Sequence, residues 1–155
     1  MILTPHILVG VAIATKVQNP ILGLVFVLLS HYFLDLFPHN EYSIKNIRGG
    51  RWSVSLPDFL KAFLDIALAL VIISFTAGFS PMIITAVAVS ILPDGLTLLQ
   101  CIFPENKLLI KHLKIHWAIN DVSENKKIPD VMGIISQVLV AAIAIYLLLQ
   151  PRTLL

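Results

Sequence analysis

At 155 residues the chain has the length of a single domain, residues 1–155, yet 57% of it is hydrophobic and only 13% charged, which with a mean hydropathy of +0.89 excludes an ordinary soluble domain. The net charge of +2 is carried in loops between apolar runs, with no basic face interleaved with aromatics, so a nucleic-acid partner is not expected. The lone Cys101 excludes an intrachain disulfide and a CxxC metal or redox site.

Five apolar runs follow in chain order. The first, roughly 5–17, opens with Thr4 and Pro5, carries His6, and is short, which suits a half-inserted helix as well as a full crossing. Neither a basic segment nor a small-residue cleavage site precedes it, so it is read as retained and not as a removable signal peptide. The second, 20–37, starts behind Asn19 and ends in "LLSHYFLDLFPHN", which sets His31, Asp35 and His39 at intervals of four. The third, 58–78, follows Pro57 and carries Asp58 and Asp65. The fourth, 81–103, follows Ser80 and Pro81 and contains "ILPDG" with Asp94. The fifth, 130–149, follows Pro129. Proline suits a first helical turn, and Thr4, Asn19 and Ser80 are N-cap residue types. All runs but the first reach about 18 residues, enough to cross a hydrocarbon core of about 30 Å.

The segment "NKLLIKHLKIHWAIN" puts Lys107, Lys111 and Lys114 on one helical face and Leu109, Ile110, Leu113 and Trp117 on the other, with His112 and His116 on the border. The expected fold is therefore all-α: a polytopic membrane helical bundle with four firm spans, a short N-terminal helix and an amphipathic interfacial helix. Lys45, Arg48, Arg51, Lys61, Lys107, Lys111, Lys114, Lys126 and Lys127 fall on one side of the threaded spans, and only Lys16 and Arg152 on the other. That bias places both long loops, 38–57 and 104–128, in the cytoplasm.

This threading gathers the polar groups at the cytoplasmic end. His6, His31, Asp35, His39, Asp58, Asp65, Asp94, His112, His116, Ser136 and Gln137 share that level, while the outer halves offer only hydroxyls such as Thr15, Ser74, Thr76 and Thr85. Ionisable groups in hydrocarbon cost about 2.5–3.5 kcal/mol each for Asp, Lys or Arg, so a cluster of them requires a partner or a function. Positions 31 and 35 project from one face about 40° apart, and position 39 continues the stripe if the helix persists past Pro38. A divalent cation, Zn or Mn, compensates carboxylates and accepts lone pairs from neutral imidazoles. Candidate metal ligands are His6, His31, Asp35, His39 and Asp94; candidate acid–base groups are Asp65 and His116.

Each residue has a plainer alternative. His31 and Asp35 suit a hydrogen-bonded pair between helices, His39 a solvated loop, His6 an interfacial helix start, Asp58 a capping carboxylate, Asp94 a simple kink beside Pro93, and His112 and His116 mere occupants of an amphipathic helix.

"SHYFLDLFPH", "ILPDG", the histidine-bearing "KIHWAIN" after a basic stretch and the early "TPH" resemble elements of the bacterial inner-membrane metal-dependent hydrolases, including the LexA-binding, membrane-bound hydrolase-like group. The resemblance covers most of the chain thinly. Its most specific piece is S-H-x3-D and its second the LPD element, and it implies a His and Asp metal centre with His31 and Asp35 matching the first and Asp94 the second. Where members carry D-x-D-H after LP, this chain reads "DGLTLL", and the S-H-x3-D piece comes early instead of late.

The function expected is a metal-dependent hydrolase in a bacterial-type inner membrane, acting at the cytoplasmic face on a lipid-like substrate or phosphorylated head group, with membrane lipids as its partners. Two alternatives come from other classes: ion or proton transport, and a non-catalytic membrane scaffold.

Overall fold

In the computed structural model the described residues are 1–124 and 129–151, with side chains described for 1–120 and 129–151. Lys126, Lys127 and Arg152, counted in the charge bias, lie outside the described residues. The elements are α1 (Leu3–Lys16), α2 (Pro20–Asp35), α3 (Lys45–Arg48), a 3-10 turn (Trp52–Val54), α4 (Leu56–Thr76), α5 (Pro81–Ser90), α6 (Leu92–Ile102), α7 (Lys107–Glu124) and α8 (Asp130–Leu149). No strand occurs among the described residues.

The short first helix is the centre of the molecule. Its Ile7, Leu8 and Val11 are wholly buried, because α2, α4, α5 and α8 all pack around it. The outward faces of its neighbours are apolar, with Phe63, Phe75, Leu139 and Ile143 all exposed. An apolar exterior around an apolar core is the pattern of a bundle solvated by lipid.

Two helices, α4 and α8, are long and apolar enough to cross a membrane, and α5 with α6 makes a third if the bent pair is one span. This is fewer than the four firm spans expected. The run 20–37 yields a helix of only 16 residues, roughly 24 Å at about 1.5 Å per residue, because it stops at Asp35, short of Pro38. The run 81–103 breaks at Ile91 and bends by 53°, since Pro93 supplies no N–H to the helical ladder.

The caps refine the picture. Asn19 accepts from Ile21 N and Leu22 N, and Ser80 from Ile83 N, as their residue types indicate. Thr4 does not cap α1, which begins one residue earlier, at Leu3. Its first N–H groups, those of Leu3 and Thr4, donate instead to the Asp65 carboxylate on α4. Asp58, at the start of α4, accepts from Asn46 N and Ile47 N and so caps α3 instead of its own helix.

These contacts bring the N-terminal ends of α1, α4 and α8 together with the C-terminal ends of α2 and α5. At the opposite end Lys16 Nζ donates to the carbonyls of Gln150 and Pro151. The helices α1, α2, α4, α5 and α8 therefore alternate in direction.

Candidate metal centre

Four helices deliver five side chains to one point. His6 stands in the first turns of α1, His31 and Asp35 in the last turns of α2, Asp94 in the first turn of α6, and His116 midway along α7. Asp35 is the hub. Its Oδ1 lies 3.2 Å from His6 Nε2, and its Oδ2 lies 3.3 Å from His31 Nε2 and 3.1 Å from His116 Nε2. Asp94 Oδ1 stands 3.9 Å from His31 Nε2 and 3.8 Å from His116 Nε2. Two overlapping triplets, His6 with His31 and Asp94, and His31 with Asp35 and His116, each have ligand atoms within 4.8 Å of one another. His6, His31 and Asp35 are each only 1% exposed, so water does not solvate them.

Second contacts fix the rings. A carbonyl only accepts, so His31 Nδ1, 2.7 Å from Ser90 O, carries the proton. The break between α5 and α6 sets that carbonyl where it meets the ring. Thr97 Oγ1 lies 3.2 Å from Pro93 O and 3.1 Å from His116 Nδ1; donating to the first, it accepts from the second. In the neutral rings the Nε2 atoms, 3.3 Å apart, then carry the lone pairs on the side of the Asp35 carboxylate. Imidazole N–H groups held by backbone or hydroxyl acceptors, with the other nitrogen turned inward, are the usual outer shell of a metal ligand set.

His6 points the same way. Its ring stacks on His31 with centroids 4.1 Å apart, and neither of its nitrogens makes an aligned hydrogen bond among the described residues although both are buried. Buried polar atoms are nearly always hydrogen-bonded, so an orphaned imidazole beside two others fits a cation.

The charge already present lies to one side. The Met1 amino nitrogen stands 3.1 Å from Asp35 Oδ1 and 3.2 Å from Glu41 Oε1. Burial acts to raise the Glu41 carboxyl, but His39 and this amino group hold it down to about 2. Burial acts to lower His116, on α7, but its hydrogen bond to Asp35 and the nearby Asp94 carboxylate leave it raised.

Two residues expected at the site lie elsewhere. His39 is not brought to the cluster: α2 ends before Pro38, the interval of four is not continued, and its Nδ1 donates to Phe37 O while Nε2 lies 3.4 Å from Glu41. Asp65 is occupied as the cap of α1, accepting from Leu3 N, Thr4 N and the Thr4 hydroxyl, which leaves it no free oxygen for acid–base work. His116, expected as an acid or base, stands among the ligands, whereas its neighbour His112 turns to the Tyr32 hydroxyl at 3.3 Å. Ser90, Thr97 and Glu41 were not singled out from sequence. A carbonyl at a helix break carries no side-chain signal, and Thr97, one turn beyond the LPD element, was the one legible clue.

A cavity of about 410 Å³ adjoins the cluster, with Asp94, Thr97 and His116 on its wall. No family model, curated protein or solved structure matches this chain.

Proposed function

We propose that this chain is a membrane-embedded metal-dependent hydrolase working at the cytoplasmic face of a bacterial-type inner membrane. In this reading the runs 20–37, 58–78, 81–103 and 130–149 all cross the bilayer, and His6, His31, Asp35, Asp94 and His116 hold Zn or Mn. The observation that carries it is the convergence of imidazole nitrogens and carboxylate oxygens in two overlapping triplets, each with its ligand atoms within 4.8 Å of one another. That His31, Asp35 and Asp94, the residues of the two motifs behind the family resemblance, lie within one cluster supports the same reading.

A divalent ion held there supplies Lewis acidity and makes water a competent nucleophile near neutral pH. The protein's own part is positional. Ser90 O and the Thr97 hydroxyl orient the rings, and the buried setting strengthens every charge interaction inside it. His116 and Asp94 also line the adjoining cavity, so a substrate there would meet the metal-holding residues directly.

Transport is the second reading, since a broken helix pair with carboxylates at its break is a transporter feature. It needs polar groups along the outer half. The hydroxyls there are already spent on their own helices: Thr15 donates to Ala12 O, Ser74 to Val71 O, Thr76 to Ile72 O and Thr85 to Pro81 O.

Metal analysis of detergent-purified protein tests the proposal. Near-stoichiometric Zn or Mn is expected in the wild type and is lost in both His31→Ala and Asp35→Ala. Folded wild type that takes up neither ion overturns it.

A further inference from the structure

The cavity beside the cluster is lined mostly by apolar side chains. Phe59 and Ile66 of α4, Ala88 of α5 and Leu98 of α6 line it, together with Asp94 and His116 and the charged Glu41, Arg48 and Asp58. Its volume of about 410 Å³ is that of a small-molecule site, typically about 300–1,000 Å³. Its position is informative. α4 packs on α1, α8 and α3, and no extended packing of α4 against α5 or α6 occurs among the described residues. The cavity is thus a seam between a candidate span and the bent pair, walled by side chains that reject water.

A polar ligand would lose its hydration against these flanks, and hydrocarbon would lose nothing. We propose that this seam holds one acyl chain of a membrane lipid, which arrives sideways from the bilayer between α4 and α6 and sets its polar end at Asp94 and His116. As an assignment of substrate class this rests on the hydrolase reading; as a binding site it stands on the cavity alone. It differs from annular lipid contact in predicting one saturable place.

Trp117 lines the cavity and supplies a probe. In a Trp52→Phe background it is the one tryptophan left in the chain. The full-length protein is placed in phosphatidylcholine nanodiscs, and lysophosphatidylcholine with a dibrominated stearoyl chain is titrated in at low mole fraction. Saturable quenching is expected. Ala88→Phe on one wall and Ala62→Phe on the other should each fill the seam and weaken the apparent affinity about tenfold. If one variant does not fold, as judged by elution and helicity, the other carries the comparison.

Quenching that rises in proportion to mole fraction and is the same in parent and filled variants means Trp117 meets bulk lipid alone, and overturns the proposal. The two readings fail separately. A protein without bound metal that still shows saturable quenching loses the hydrolase and keeps the acyl-chain site; a metal-loaded protein with proportional quenching does the reverse.

Discussion

Asp65 belongs to α4 by sequence and to α1 by function. A carboxylate that accepts two orphan N–H groups of a neighbouring helix ties the two together, and Asp65→Ala should cost about 1–2 kcal/mol of stability, seen as a lower thermal midpoint in detergent. Bound metal should be unchanged; its loss would return Asp65 to the site. Glu41 gives a pH signature. Folding holds its carboxyl at about 2 against an ordinary 4.5, so its contribution is complete above pH 4.5 and disappears as pH falls toward 2. Helicity followed from pH 5 to 2 should therefore fall more steeply in the wild type than in Glu41→Gln. At this scale the sequence was partly legible. The spacing of His31 and Asp35 places them on one helical face by geometry alone, whereas the roles of Asp65 and His39 depended on where another helix began and where their own ended.

Helix packing sets the outer contacts of the cluster. α1 and α5 cross so closely at Gly10 that an added Cβ would overlap the Ser90 hydroxyl and approach Ser90 Cβ to 3.2 Å. Gly10→Ala must displace the Ser90 side chain and press on Val27, and a shift of α5 in response would move the carbonyl that fixes the His31 ring. An overpacking cost of about 1–3 kcal/mol is expected, together with weaker Zn or Mn retention during dialysis against a chelator. Unchanged retention would show that the Ser90 contact does not orient the ligand. The break after Ser90 was legible, because Pro93 and Gly95 flag it. The central place of α1 was not: a 14-residue run looks marginal as a span, and nothing in its composition reveals that four helices surround it.

For the molecule as a whole, the proposed orientation, with the lysine-rich loops in the cytoplasm, is open to direct test. Expressed in a bacterial inner membrane in a Cys101→Ser background, Lys111→Cys should react with an impermeant maleimide only after the cells are opened, and Lys16→Cys should react from outside. The opposite pattern inverts the topology. Apolar runs and their proline starts made the all-helical architecture readable, but the lengths of the individual helices were not, since hydropathy counts residues and sees neither the stop at Asp35 nor a 53° bend. The convergence of α1, α2, α6 and α7 was likewise beyond a local pattern, being a product of packing.

His116 meets Asp35 from 81 residues further along the chain. During biosynthesis, then, the first two helices bring an acid and two imidazoles together before Asp94 and His116 exist to complete the cluster, and the segment bearing His116 emerges only after α6. A ribosome stalled before that point leaves an unfinished, poorly shielded intermediate of the kind that membrane quality-control proteases remove, so loss of α7 should shorten the protein's cellular lifetime.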